Sequence, residues 1–214
     1  MAQSAPIKLG VLGSGKGSNF VAIAESCASG RLAAEVRLVL TDVADAGILE
    51  HASRFGVPCK YVSPGAYRTK LDDAAERDYV RLLQEAEVDY VVLAGFMRII
   101  KADFLKHFWQ RVINIHPSLL PSFPGLEAWK QALDYGVKYT GCTVHLVDHG
   151  IDTGPILGQQ TVPVLDGDTP QSLHARIQEA ERTLYPEILQ ALASGQVRIQ
   201  GRKSIRSTGR APHL

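Results

Sequence analysis

Along the first half of the chain, apolar residues fall alternately into short continuous runs and into stripes at helical spacing. Residues 7–12 (IKLGVL) are a β-rich run that breaks at a glycine-rich turn. From 18 to 29, Phe20, Ile23, Ala24 and Cys27 recur on one helical face, and Gly30 stands where such a helix would end. The pattern then predicts a strand at 36–40, a helix at 47–55 that stops at Gly56, and a short strand at 59–62. Residues 67–87 carry a long, charged amphipathic pattern that predicts a single helix. At 90–94 (YVVLA) every position is apolar, as in a strand buried on both faces. A helix at 104–108 and a strand at 112–116 follow.

Strands alternating with helices predict an α/β, Rossmann-like domain: a mostly parallel twisted sheet, right-handed crossovers and helices on both faces. Ligands of such sheets bind outside the carboxyl ends of the strands, which directs attention to the loops after Leu12, Ala94 and His116. Beyond Gly125 the rhythm changes. A helix at 128–135 precedes two β-rich runs, 142–147 and 156–164, joined by the turn DHGIDTGP. These runs predict an antiparallel addition to the sheet. A long helix at 172–193, carrying Pro186, and a short run at 197–199 complete a single domain over 1–200. Residues 201–214 hold Arg202, Lys203, Arg206 and Arg210, and are expected to be a flexible basic tail, a solvated terminus rather than an RNA-binding arm.

Composition narrows the function without naming it. A chain of 214 residues, 45% hydrophobic and 21% charged, buries a core large enough to fold without disulfides or a structural metal. Lys and Arg number 23 against 22 Asp and Glu, so no global field draws a nucleic-acid backbone, and no nucleic-acid partner is expected. The cysteines, Cys27, Cys59 and Cys142, are odd in number and irregular in spacing, which points to a reducing compartment. The N-terminus lacks the pattern of a signal peptide, and no apolar run approaches the roughly 18 residues that cross a bilayer. A cytoplasmic protein with no membrane partner is expected.

Two segments carry candidate chemistry. GSGKGSN at 13–19 lies between a strand and a helix, where successive backbone N–H groups and the positive helix end make an anion site. Gly10, Gly15 and Lys16 satisfy part of a triphosphate-binding loop, but Gly17 stands where that motif needs Ser or Thr. A dinucleotide fingerprint from Gly13 meets Ser18 at its third glycine, although Asp42 at the end of the second strand keeps one piece of that pattern. A terminal phosphate of a smaller ligand fits better, with Gly17, Ser18 and Asn19 as donors. A plain βα turn is the rival reading, and it needs fewer glycines.

In NIHPSLLP, Asn114 and His116 are two apart in an extended run and share one face, while Ile113 and Ile115 point into the core. Pro117 keeps His116 extended and ends the strand. An amide donor beside an imidazole suits acyl transfer: Asn114 can hold a developing oxyanion and His116 can move a proton. Asp152, in a glycine-bounded turn, is the best carboxylate to favour the protonated imidazole, but 36 residues separate the two and spacing alone does not join them. Cys142, His145, His149 and Asp152 are all ligand-type residues, yet their intervals match no zinc pattern, and Cys142 and His145 face opposite sides of a strand. No metal is expected.

Together these segments resemble the formyltetrahydrofolate-dependent formyltransferases. The matching pieces are GSGKGSN at 13–19, VVLAGFMRII at 91–100, NIHPSLLPSFPG at 114–125, GCTVHLVDHGIDTGPIL at 141–157 and ARIQEAERTLYP at 175–186. NIHPSLLP and GIDTGPI mark the wider family; the glycine loop and the chain length resemble its glycinamide ribonucleotide branch. The resemblance implies transfer of a formyl group from 10-formyltetrahydrofolate, as co-substrate, to the amine of glycinamide ribonucleotide in purine synthesis. It implies Asn114, His116 and Asp152 as the catalytic trio. Gly15, Gly17, Ser18 and Asn19 would hold the ribonucleotide phosphate, with Glu181 near the ribose. Met97, Arg98, Ile99 and Ile100, together with Asn114, would line the folate pocket, largely through backbone groups. A basic residue of the family that contacts folate and phosphate matches either Arg68 or Lys70, with Arg68 taken here. Within the family, a tRNA formyltransferase adds a C-terminal domain and a formyltetrahydrofolate hydrolase an N-terminal one. The length and neutral charge of this chain argue against both. A non-catalytic nucleotide-binding module on the same sheet is the alternative of a different class.

Overall fold

The structure, a computed structural model, describes residues 5–206. Its strands are β1 (Ile7–Leu12), β2 (Ala34–Thr41), β3 (Cys59–Tyr61), β4 (Tyr90–Leu93), β5 (Val112–His116), β6 (Tyr139–Leu146), β7 (Ile156–Pro163), β8 (Val197–Gln200) and β9 (Lys203–Arg206). The helices are α1 (Ser18–Ala28), α2 (Gly47–Arg54), α3 (Asp73–Glu85), α4 (Ala102–His107), α5 (Ala128–Tyr135) and α6 (Pro170–Ala193). All nine strands form one sheet in the order β3-β2-β1-β4-β5-β6-β7-β9-β8. β1 to β5 are mutually parallel, and β6 and β7 continue the sheet antiparallel, as the alternation predicted.

Two apolar layers flank the sheet. On one face Phe20 and Ile23 of α1, Ile48 of α2 and Ile177, Leu184 and Ile188 of α6 pack over Leu9, Val11, Val92, Ile113 and Val144. On the other, Tyr79 and Leu83 of α3 and Phe104 and Leu105 of α4 cover Leu12, Val91, Leu93 and Val112. Adjacent residues Val91 and Val92 thus serve opposite layers, which explains why YVVLA is apolar throughout. The chain runs outward from β1 through β2 to β3, then crosses back to β4 on the other side of β1. The loops after β1 and β4 therefore open side by side at the point where strand order reverses, the place where such sheets hold ligands.

Two elements differ from the sequence expectation. The third helix begins at Asp73 rather than near 67, because the Asp72 carboxylate caps it by accepting from Ala75 N at 2.8 Å. The preceding residues are extended instead: Lys70 bridges to Ile99, and Ile99 N donates to Thr69 O at 2.8 Å. Within the segment expected to be a flexible tail, Lys203–Arg206 is strand β9, paired antiparallel with β8 across a turn at Gly201. Ser204 Oγ donates to Ile156 O at 2.6 Å, fastening that hairpin to β7. The rest of the tail, including Arg210, lies outside the described residues.

Candidate active site

A cleft of about 290 Å³ opens at the carboxyl end of the sheet, lined by the 95–100 loop after β4, by Asn114 and His116 of β5, and by the 147–152 turn after β6. A larger groove of about 570 Å³ lies between α1 and α6, but none of the candidate catalytic, phosphate-binding or folate-binding residues lines it. Chemistry, not volume, identifies the site.

Asn114 and His116 project from one face of β5, while Ile113 and Ile115 are buried in the core behind them. β6 runs antiparallel beside β5 with Leu146 opposite Ile113, so the turn that follows β6 leaves near the start of β5 and folds back along it, bringing Asp152 to His116. Asp152 Oδ2 lies 3.3 Å from His116 Nδ1 and accepts from Gly125 N at 2.8 Å. Asp152 itself has φ 54°, a left-handed conformation in the sharp turn. The turn is shaped by Asp148, whose Oδ1 accepts from Gly150 N at 3.0 Å and Thr153 Oγ1 at 2.6 Å. His116 is 4% exposed. Its other nitrogen, Nε2, is 2.9 Å from Phe123 O; since a carbonyl only accepts, Nε2 carries a proton there. Ser118 Oγ donates to Ser122 O at 2.6 Å, with Phe123 O farther off at 3.2 Å.

His145 completes the cluster. It stands opposite Asn114 in the β5–β6 register, next to an irregularity at Val144 and His145. Burial lowers its titration below the ordinary histidine value, so it is neutral at physiological pH. Its Nδ1–H donates to Leu146 O at 2.8 Å, which leaves Nε2 to accept from Asn114 Nδ2 at 3.2 Å. That bond sets which way the Asn114 amide faces and leaves its second N–H for another acceptor. Being neutral, His145 forms no ion pair with Asp152 Oδ1, 3.7 Å away. Cys142, on the opposite face of β6, is in the core, where burial pushes its thiol up to about 12. Among the described residues no three His, Cys, Asp or Glu side chains gather as a metal-ligand set.

The glycine-rich loop lies behind the 95–100 loop, to which it is bonded: Ser14 N donates to Gly95 O at 3.1 Å and Ser14 Oγ accepts from Met97 N at 2.9 Å. Gly17 caps α1 with φ 81° and no side-chain bond. A Cβ there would come within 2.9 Å of Ile48 Cα, so the position excludes any other residue. Without a capping side chain, the first N–H groups of α1 point out of the helix as donors for an anion. Beneath them, Asn19 Nδ2 donates to Glu181 Oε2 at 3.0 Å, and burial raises the Glu181 carboxyl to about 7. Asn19 Oδ1, also buried, has no partner among the described residues. Around Gly15 there is open space.

Met97, Arg98, Ile99 and Ile100 all border the cleft. The Arg98 guanidinium turns to Asp42 and to the carbonyls of Tyr67 and Arg68, so its charge is engaged within the protein. Arg68 lies on the extended segment beside that loop, and the Lys70 ammonium sits 4.5 Å over the Tyr67 ring. The sequence reading missed His145 as a neighbour of Asn114 and Ser14 as a link in the loop. The alternation of β6 put His145 on the face opposite Cys142, but its register against β5 left no trace in the letters.

A strand-end Asn and His thus meet a turn Asp in a cleft of a Rossmann-like sheet, and a family model described as formyl transferase matches residues 7–189. The chain belongs to that family. The phosphoribosylglycinamide formyltransferase of Mycobacterium tuberculosis is 45% identical over 204 residues, 93% of this chain and 91% of that protein. The crystal structure of glycinamide ribonucleotide transformylase 1 from Symbiobacterium toebii matches with a TM-score of 0.91 at 46% identity, covering 95% of each chain. The trifunctional purine biosynthetic protein adenosine-3 of Gallus gallus is 42% identical over 199 residues, 92% of this chain but only 19% of that much longer protein.

Proposed function

We propose that this chain transfers the formyl group of 10-formyltetrahydrofolate to the primary amine of glycinamide ribonucleotide, yielding formylglycinamide ribonucleotide and tetrahydrofolate in purine synthesis. The observation that carries the reading is the convergence of Asn114, His116 and Asp152 at a cleft lined by the 95–100 loop, which Ser14 bonds in turn to the glycine-rich loop that opens α1.

The ribonucleotide phosphate takes the N–H groups of Gly17, Ser18 and Asn19, with Gly15 leaving room beside it, and Glu181 receives the ribose. The folate ring lies along the backbone of 97–100 and against Asn114, with Arg68 at its outer edge. The amine attacks the formyl carbon: its lone pair forms the new C–N bond as the carbonyl electrons move to oxygen. Asn114 Nδ2 and protonated His116 hold that oxyanion, and Asp152 steadies and orients the imidazolium. The substrate oxygen displaces Phe123 O from His116 Nε2. The intermediate collapses by breaking the bond to folate N10, and the amine proton passes through His116 or a water to that nitrogen.

The chemistry asks for no covalent enzyme intermediate and, because the donor is already activated, for no metal. A thiol raised as far as that of Cys142 is a poor nucleophile at neutral pH. The three free cysteines suit a reducing cytoplasm, where we assign the protein. Mixing the chain with both substrates and following absorbance of the product folate tests the reading. Formyl-folate loss that proceeds equally without the ribonucleotide would instead mean a hydrolase.

A further inference from the structure

Asp42 ends the β2 segment at the place where a dinucleotide-binding sheet offers a carboxylate to ribose hydroxyls. Here both oxygens are engaged within the protein. Oδ1 accepts from Ser14 Oγ at 2.5 Å, and Oδ2 accepts from Arg98 Nε at 2.6 Å. The Asp42 side chain is 1% exposed and that of Arg98 is 15% exposed, so the pair is screened from water. Ser14 carries the link onward: its Oγ accepts from Met97 N at 2.9 Å, and its own N–H donates to Gly95 O at 3.1 Å. Arg98 reaches further, donating to the carbonyls of Tyr67 and Arg68, next to the bridge between Lys70 and Ile99.

These bonds connect the loops after β1, β2 and β4 with the extended 67–70 segment. Within the 95–100 loop Phe96 is buried against Tyr79 and Ile100 packs on the same core layer, which anchors the two ends of a more exposed stretch. Met97 is 62% exposed and Ile99 51% exposed, so burial of their side chains does not fix its path. Two of the polar bonds that set its course, from Met97 N to Ser14 Oγ and from the Arg98 guanidinium, lead to the one carboxylate of Asp42. Removing the charge of a buried pair leaves the partner uncompensated and free to move, which is more disruptive than losing an exposed pair.

We propose that Asp42 is a positioning residue for the folate side of the site: through Arg98 and Ser14 it holds the 95–100 loop in the shape that receives the folate ring. This rests on the formyl-transfer reading above. Asp42 touches neither substrate in this scheme and takes no part in proton movement. Its loss therefore weakens folate binding while leaving the phosphate site and the chemical step largely intact.

The test compares wild type, Asp42→Asn and Ser14→Ala by steady-state kinetics, varying each substrate in turn. Asp42→Asn keeps shape and the bond to Ser14 but removes the charge facing Arg98. The expected result is a rise of about tenfold in KM for formyl folate, with KM for the ribonucleotide and kcat changed no more than about twofold. Ser14→Ala, which cuts the link to Met97 N, should give the same split, and it decides the question if Asp42→Asn folds poorly. The double variant should be no worse than the more affected single one, because both act through one chain of bonds. A general loss of structure would instead lower kcat through a smaller active fraction and leave both KM values alone. Equal rises in both KM values, or a folate KM within about twofold of wild type in both variants, overturns the proposal. Absence of turnover by the wild type overturns the formyl-transfer reading, and this one with it.

Discussion

Asp152 Oδ2 sits 3.3 Å from His116 Nδ1 and, through a 2.8 Å bond from Gly125 N, also ties down the far end of the loop that follows His116. One carboxylate oxygen thus orients the imidazole and fixes the loop whose Phe123 carbonyl holds the other ring nitrogen. Replacing His116 with Ala, or Asp152 with Asn, should lower kcat by about 10²–10⁴-fold. Near-normal turnover in both would sink the proposed roles.

His145 acts on the same centre from behind. Its neutral imidazole accepts from Asn114 Nδ2, and without it that amide loses its fixed direction. His145→Ala should lower kcat by about tenfold with little change in KM for the ribonucleotide, whose phosphate site lies elsewhere. An unchanged kcat would show that Asn114 needs no such support.

The residues of β5 were legible because alternation alone assigns faces: Ile113 and Ile115 inward, Asn114 and His116 outward. Asp152 could be nominated by its turn but not brought to His116, since that contact depends on β6 running antiparallel beside β5. His145 needed finer knowledge still, because only the β5–β6 register sets it against Asn114, and that pairing has no local signature. The segment before α3 misled for a different reason. Its composition suits a helix, but Asp72 caps the helix late and residues 69 and 70 pair with Ile99, a tertiary contact without local signature. β9 was hidden by its charges, which suit an edge hairpin as well as a solvated tail.

The start of α1 should govern the ribonucleotide and little else. Ser18→Ala combined with Asn19→Ala is expected to raise KM for the ribonucleotide by about tenfold or more while KM for formyl folate stays near its wild-type value. An unchanged ribonucleotide KM would remove the phosphate from this loop.

Glu181 gives a pH dependence of stability. Burial raises its carboxyl from 4.5 to about 7, so the folded protein holds this proton more tightly than the unfolded chain does. Its stabilising contribution is full below pH 4.5 and is lost as pH rises through about 7. Glu181→Gln removes the ionisation. Relative to wild type, the variant should gain stability between about pH 5 and pH 8, approaching about 3 kcal/mol. Urea unfolding at the two ends of that range measures the difference; an equal offset at both would contradict the raised value.

Cysteine chemistry separates structure from mechanism. Burial pushes the thiols of Cys27 and Cys142 up to about 11 and about 12. Cys142 should resist thiol reagents at neutral pH until denaturant is added, and Cys142→Ala should retain most of the activity. Rapid labelling of Cys142 in the folded protein would argue against its burial.

The central claim is that one cleft moves a formyl group between two bound substrates with Asn114, His116 and Asp152 at the reacting carbon. The direct measurement uses formyl folate labelled at the formyl carbon and identifies the labelled product by mass spectrometry. Wild type should deliver the label to the amine of glycinamide ribonucleotide, and a variant combining His116→Ala with Asp152→Ala should deliver almost none. Label recovered as free formate from the wild type, or equal transfer by the double variant, would contradict the account.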